Sequence, residues 1–404
     1  MEQSKVDKMR EKKKQKMRRK RFFWLLVMLI AVFGLWYQEN HTLNIKAVFQ
    51  SEEKNQEGTE SKTMIPLFTY DPLDCASFGI YEKDIIQSTK DGIKRLTIDG
   101  KTLWSYAYFM NRPFLMIHDA YIGVVDIGGN KAAVLGDKGE IYTIETLYPI
   151  LQCTLSQQGS LAIVQQTTTG HQISVYNKEG HVLMDHITYV EKDGQPINIV
   201  LSPDGDQLVT SYVDTNGSEV LSKLTFFNMG DGGEQQVDSI SGSYHYPNML
   251  IPEGNFLDNH TFIAIGDEKM ISFNVDINPV EYWSNVFSHK IRRVSMEGNK
   301  SFALAFGDPL AGKDGKGEEG EVTRIYNKQG KMVGEQFIQS PVDYLYHTDH
   351  ITIVGVGRTF YGLNTKGRVL WDYTATKDIK AFLPFDNKNF LVVSTEQVEI
   401  VQIK

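Results

Sequence analysis

Two patterns of apolar residues divide the chain. Phe22 to Tyr37 (FFWLLVMLIAVFGLWY) runs sixteen residues without a charge, whereas from Met64 onward short runs of Val, Ile, Thr, Tyr and Phe alternate with polar positions. The first pattern is that of a helix apolar on every side, and the second that of half-buried β-strands. No convincing amphipathic helix interrupts the strand pattern.

The strand runs are punctuated by one recurring turn. IDGKTLW (98–104), LGDKGEI (135–141), YNKEGHVL (176–183), YNKQGKMV (326–333) and NTKGRVLW (364–371) share a strand end, an Asn/Asp-rich turn closed by Gly, and a strand opening on a hydrophobic residue. Glycine supplies the positive φ that a tight hairpin requires. FNMGDGGE (227–234) and FNVDINPVEYW (273–283) are weaker members, and the turns lie 37 to 53 residues apart. A period of that size with about four strands per unit predicts a β-propeller, whose small sheets bury their faces only by stacking radially. Seven turn units lie between about Asp74 and Thr374. IKAFLPF (379–385), NFLVVS (389–394) and QVEIVQI (397–403) then add three strands, and TMIPLFTY (63–70) can supply the fourth. The expected fold is therefore all-β: an eight-bladed propeller closed by an N-terminal strand and preceded by one N-terminal transmembrane helix. Seven blades is the alternative, if one weak unit within 187–290 is an insertion.

Charge sharpens the reading of the amino-terminal region. The 404-residue chain has a formal net charge of −8, yet residues 1–21 carry eleven Lys/Arg against three Asp/Glu, which leaves −16 on the rest. An acidic body excludes a basic nucleic-acid binder, which needs a clustered cationic face, so no nucleic-acid partner is expected. Sixteen residues rise about 24 Å as a helix, short of the ~30 Å hydrocarbon core. Lys20 and Arg21 can snorkel to one headgroup layer while Trp36 and Tyr37 suit the other, and Phe22 and Trp24 begin the apolar anchor. The lipid bilayer is thus the expected partner of residues 22–37. A cleaved signal peptide is the rival, but no small-x-small site follows the run. The positive-inside rule puts residues 1–21 in the cytoplasm, 38–62 outside as a flexible stalk (EEKNQEGTESK at 52–62), and the propeller, 63–404, outside the cell membrane.

Asp99-Gly100-Lys101-Thr102-Leu103-Trp104 and Lys366-Gly367-Arg368-Val369-Leu370-Trp371 resemble the Gly-Lys-x-x-Trp ends of quinoprotein-dehydrogenase-like propeller repeats. That resemblance implies that the Trp docks between adjacent blades. Trp283 occupies the matching place in the fifth unit, while Thr143, Met184 and Gly334 stand there in three others. Leu201-Ser202-Pro203-Asp204-Gly205 resembles the Ser-Pro-Asp-Gly turn of WD40-like and TolB-like propellers. As a whole the chain resembles an uncharacterised family of single-pass, membrane-anchored β-propellers from Gram-positive bacteria, which implies a fold and a location and no established activity.

Candidate chemistry is sparse. Trp104, Trp283 and Trp371 read as blade-docking anchors rather than a quinone site, because no cluster of cofactor and metal ligands accompanies them, and no cofactor is expected. His347 and His350 flank a turn, but no third or fourth metal ligand is evident, and a polar hairpin is the simpler account. His245 sits in an aromatic strand edge. GDPLAGKDGKGEEGE (307–321) lacks calcium-loop spacing and reads as a long solvated loop. Cys75 and Cys153 fall in different units, so stability is not expected to rest on a disulfide framework, and the two could pair only if their Cα atoms approach within about 7 Å. Asn216-Gly217-Ser218 reads as a turn. No nucleophile elbow, Cys/His signature or phosphate loop is present, so no catalytic residue and no metal ligand is assigned and the protein is not expected to be an enzyme. The function class expected is a membrane-tethered binding or scaffolding module for an unknown protein or envelope ligand. An extracytoplasmic enzyme with its site in the central channel is the alternative (a hydrolase, a lyase or a quinoprotein-like oxidoreductase). A sensor is disfavoured because residues 1–21 leave no room for an output domain.

Overall fold

The computed structural model describes residues 63–230, 237–309 and 321–403. The tail, anchor and stalk expected over 1–21, 22–37 and 38–62, with Arg21, Phe22, Trp24, Trp36 and Tyr37, lie outside the described residues, as does most of the 307–321 loop. Among the described residues no helix is long and apolar enough to cross a membrane.

Eight four-stranded antiparallel sheets form the blades of a propeller. Blades 1 to 7 span residues 77–107, 113–145, 150–189, 195–247, 253–286, 289–338 and 344–374. Within each of these the chain advances from the innermost strand, A, to the outermost, D. Blade 8 is composite: Ile379–Pro384, Asn389–Ser394 and Gln397–Gln402 supply A to C, and Thr63–Thr69 supplies D. Thr63 pairs with Gln402 and Thr69 with Gln397, so the two ends of the propeller close the ring by antiparallel pairing. The count is eight rather than seven, because both weak units have full sheets of their own.

All five well-formed turns predicted from the sequence connect strands C and D. Gly100, Gly139, Gly180, Gly330 and Gly367 all hold positive φ, between 70° and 106°. A side chain at these positions would be strained by the backbone alone.

The core is divided into eight apolar clusters, one at each junction between neighbouring blades. The seam is packed like the rest: Leu391, Val393 and Val398 of blade 8 meet Ile85 and Leu96 of blade 1. A blade's B and C strands are buried on both faces, which explains their near-continuous apolar runs, such as AAVL at 132–135 and LAIV at 161–164. The alternating pattern survives on the D strands, which face solvent on one side.

Antiparallel order also fixes two rims. A–B and C–D turns lie on one, here the lower rim; B–C turns and the D-to-A crossings between blades lie on the upper rim. The described chain begins at Thr63 on the lower rim.

Candidate binding face and central channel

The inner strands line the channel, and their side chains stitch neighbouring blades together. Gln152 Nε2 of blade 3 donates to the Pro196 carbonyl of blade 4 at 2.9 Å, Asn198 Nδ2 of blade 4 to the Pro252 carbonyl just before blade 5 at 3.1 Å, and Asn255 Nδ2 of blade 5 to the Met296 carbonyl of blade 6 at 2.8 Å. These amides satisfy backbone groups that an inner edge strand would otherwise leave open.

The channel cavity is about 730 Å³ and takes wall residues from all eight blades. On the upper rim a second cavity of about 580 Å³ opens between blades 1 and 5, walled by Pro113, Phe114, Ile127, Leu151, Ile197 and Ile199. The two share Phe114, Cys153, Asn198, Ile199 and Glu253, so they join at a neck. Register breaks in the inner strands shape this mouth. Leu151 is skipped between the paired residues Ile150 and Gln152, and Ile197 between Pro196 and Asn198. Both skipped residues line the groove. A bulge of this kind re-aims a side chain out of the regular alternation.

Three successive crossings on the same upper rim each raise one large apolar tip: Leu73 (79% exposed), Phe109 (65%) and Leu147 (83%). Their loops are held firmly. Buried Asp126 accepts from the Asn111 and Arg112 amides at 2.9 and 2.8 Å, and Met110 N donates to the Lys90 carbonyl at 2.9 Å. Thr146 N donates to the Asn130 carbonyl at 2.8 Å, and Thr146 Oγ1 to the Tyr148 carbonyl at 2.7 Å. The exposed tips therefore stand on a preorganised frame rather than on loose loops.

Titratable groups in the channel are displaced in opposite directions. Burial pushes the Glu253 carboxyl above its ordinary value. Burial also holds the His118 imidazole below its ordinary value, against the pull of Glu297 and Asp119. Glu297 shares the cavity with both. Cys153 at the neck is kept a thiol, its pKa pushed up to about 12 by burial. Cys75 lines the same groove, and both cysteines are free.

The three tryptophans lie on D strands and reach the following blade. Trp104 Nε1 donates to the Asp137 carbonyl at 3.0 Å and Trp283 Nε1 to the Lys328 carbonyl at 3.2 Å, in each case on the next blade's C–D turn. Trp371 packs on Phe382 and Phe390 of blade 8, with ring centroids 5.8 and 4.9 Å away. In blade 2 the matching residue is Tyr142, not Thr143. The strand there starts at the glycine itself and its pairing runs one residue sooner, so Tyr142 opposes Val134 as Trp104 opposes Arg95. Its ring lies against Gly180 and its hydroxyl donates to the Gly159 carbonyl at 3.0 Å. Beside Trp104, buried Arg95 binds Asp84, Glu82 and Asp137, tying blade 1 to blade 2.

His347 and His350 are not brought together as ligands. His347 is fully buried, with its ring between Ser301 Oγ (2.9 Å) and Thr352 Oγ1 (2.8 Å), and burial drives its pKa down to about 4. His350 is exposed. Among the described residues no three His, Cys, Asp or Glu side chains cluster as a metal site. His245 lies in the outer strand Ile240–Pro247.

A family model matches residues 70–403, nearly the whole propeller. The chain belongs to DUF5711, a family of unknown function. A search of curated proteins finds no match. Among solved structures, the DUF5711 chain is similar in fold to Sqt1 from Chaetomium thermophilum (TM-score 0.55, 9% identity, 85% of this chain and 100% of that one). Sqt1 bound to the N-terminus of the ribosomal protein L10 also matches (TM-score 0.52, 9% identity, 80% and 94%). BamB from Moraxella catarrhalis matches at TM-score 0.50 and 10% identity, over 84% of this chain and 100% of that chain. At these identities the likeness shows the fold alone.

Proposed function

We propose that this DUF5711 protein is a membrane-tethered, extracytoplasmic binding or scaffolding module that grips a partner with its upper rim. The observation that carries the reading is on that rim: three exposed apolar tips on held crossings, and an apolar groove whose neck leads into the channel. Exposed apolar residues gathered on one face of a preorganised frame are what a docking surface offers. The Sqt1 propeller bound to the L10 N-terminus provides a precedent for a polypeptide held by this fold. The tether rests on the apolar run at 22–37 and its cationic flank.

Photo-crosslinking in intact cells tests the reading. A photoreactive residue at Leu73, Phe109 or Leu147 should trap one discrete partner, whereas the same residue at the outer-strand positions Tyr282 or Leu370 should not. Equal trapping from both sets would end the proposal. Reporter fusions at the carboxyl end, active only outside the cytoplasm, test the location separately.

The opposite displacement of Glu253 and His118 favours a second reading, an enzyme with its site in the channel. Turnover of a substrate that is lost in His118→Ala, with unchanged melting, would favour it.

A further inference from the structure

Positive charge on the inner strands is gathered on one side of the ring. Among the described residues, the inner strands of only blades 6 and 8 supply Lys or Arg: Lys290, Arg292 and Arg293 on His289–Ser295, and Lys380 on Ile379–Pro384. Register breaks of the kind that shape the groove present them. Lys290 is skipped between the paired residues His289 and Ile291, Arg292 between Ile291 and Arg293, and Lys380 between Ile379 and Ala381. The remaining inner-strand breaks are those at Leu151 and Ile197. Bulges therefore re-aim two apolar side chains on blades 3 and 4 and three cations on blades 6 and 8. In a ring of eight, blades 6 to 8 stand across the channel from blades 2 to 4.

Contacts place these cations at the upper rim. Arg293 Nε donates at 3.1 Å to the carbonyl of Asp343, the residue before blade 7. Lys380 Nζ lies 5.4 Å from the ring centre of Tyr70, just past the upper end of the outer strand of blade 8. Lys290 is the second residue of a strand that descends from the same rim. Their charges are matched unevenly. Arg292 meets Glu321 at 2.9 Å and Asp308 at 3.6 Å. Lys290, Arg293 and Lys380 are exposed and have no ion-pair partner among the described residues. Arg293 donates to two carbonyls, of Asp343 and Arg292, while the Asp343 carboxylate accepts from the Gly357 amide at 2.8 Å. The groove opposite holds one cation, Arg112, and one carboxylate, Glu253, so it has no net charge.

Building on the binding reading above, we propose that the partner docks through an acidic polypeptide segment with apolar residues at one end. The apolar residues fill the groove on blades 2 to 4, and Asp or Glu side chains beyond them reach Lys290, Arg293 and Lys380 across the channel mouth. Unmatched cations on an otherwise acidic propeller select the acidic part, and the uncharged groove selects the apolar part. A purely anionic polymer would use the cations and leave the groove empty, which favours a polypeptide.

Fluorescence anisotropy on the full chain tests this with three labelled peptides: Leu-Phe-Gly-Ser-Glu-Asp-Glu, its amide counterpart Leu-Phe-Gly-Ser-Gln-Asn-Gln, and Gly-Ser-Gly-Ser-Glu-Asp-Glu. The first should bind saturably, and more weakly as salt rises. The amide peptide should bind about tenfold more weakly or worse, and the peptide without Leu-Phe should also lose affinity. Lys290→Gln and Lys380→Gln together should weaken the first peptide severalfold and keep the wild-type melting curve, whereas Lys331→Gln on the lower rim should leave binding unchanged. No saturable binding, equal binding of the amide peptide, or unchanged affinity in the double variant would overturn the proposal. Equal binding of the peptide without Leu-Phe, with displacement by polyphosphate at peptide concentrations, would leave a polyanion site and overturn its assignment to a polypeptide. A partner trapped at Leu147 that the double variant does not release would sink this inference and spare the scaffold reading. Acidic-peptide binding together with equal trapping from both photo-crosslinking sets would do the reverse.

Discussion

The junctions on either side of blade 7 do the same geometric job by different physics. Between blades 7 and 8 the contact is a pile of rings. Phe360 and Phe382 lie 4.9 Å apart, Trp371 and Phe390 4.9 Å, and Phe382 and Phe390 5.2 Å. The Tyr344 hydroxyl is threaded into the same stack, donating to the Phe382 carbonyl and accepting from the Phe382 amide. Between blades 6 and 7 the apolar contact shrinks to Ala305, Ile338, Val342, Val354 and Leu363 with a few half-buried neighbours. Polar bonds take over: the His347 ring between Ser301 and Thr352, the His347 amide on Ser295, Asp349 on the Asn299 and Lys300 amides, and Glu321 on the Val342 amide. A repeat fold tolerates this exchange because each junction contributes nearly independently to stability. The aromatic junction depends on volume, and the polar one on protonation.

Removing volume should produce the largest effect. Phe382→Ala takes the ring at the centre of the stack and should cost about 3–5 kcal/mol, measured as a drop in unfolding free energy in urea. The corresponding cut at the polar junction, Val354→Ala, should cost less. If the two losses were equal, the contrast between the junctions would fail.

Acid should act on the polar junction. His347 binds its proton less readily in the fold, at about 4, than in the unfolded chain at its ordinary 6.5. The unfolded state therefore holds more protons between those values, and stability is lost as pH falls from about 6.5 towards 4. The loss from this residue should be roughly 2–3 kcal/mol. His171 and His186, also lowered by burial, add to the slope with the same sign. His347→Gln should flatten the fall in melting temperature between pH 6.5 and 4 relative to the wild type, and a parallel profile would remove His347 as its cause.

The smallest effect separates the tryptophans. Trp104→Phe and Trp283→Phe each give up a hydrogen bond to the next blade and should cost about 1 kcal/mol. Trp371 Nε1 is buried with no partner among the described residues, so Trp371→Phe should be close to neutral or stabilising in the same assay.

Much of the fold was readable because hairpin chemistry leaves marks in sequence. Gly100, Gly139, Gly180, Gly330 and Gly367 sit where only positive φ serves, and they fall in register on every clear C–D turn. Blade 8 was readable by subtraction: three strands without a fourth, and a spare strand at the other end. The substitution of Tyr142 for Thr143 was not visible, because a one-residue difference in turn length shifts the strand without changing its composition; an aromatic one place early is the signal to look for. The groove was invisible for a related reason. Its walls depend on skipped residues in the inner strands, and a Leu or Ile at a bulge looks like any other strand residue. His347 was singled out by its residue type, but its role follows from Ser301 and Thr352, which a single sequence does not place beside it.

The closure of the ring has a mechanical consequence. Tension arriving through the residues before Thr63 is borne by one outer strand, held to the rest of the blade by six paired positions, Thr63–Gln402 through Thr69–Gln397. That load starts at the Thr63 end, so the bonds would break in succession rather than together. The seam, and not any of the seven continuous blades, is the place where a pulled propeller would begin to open.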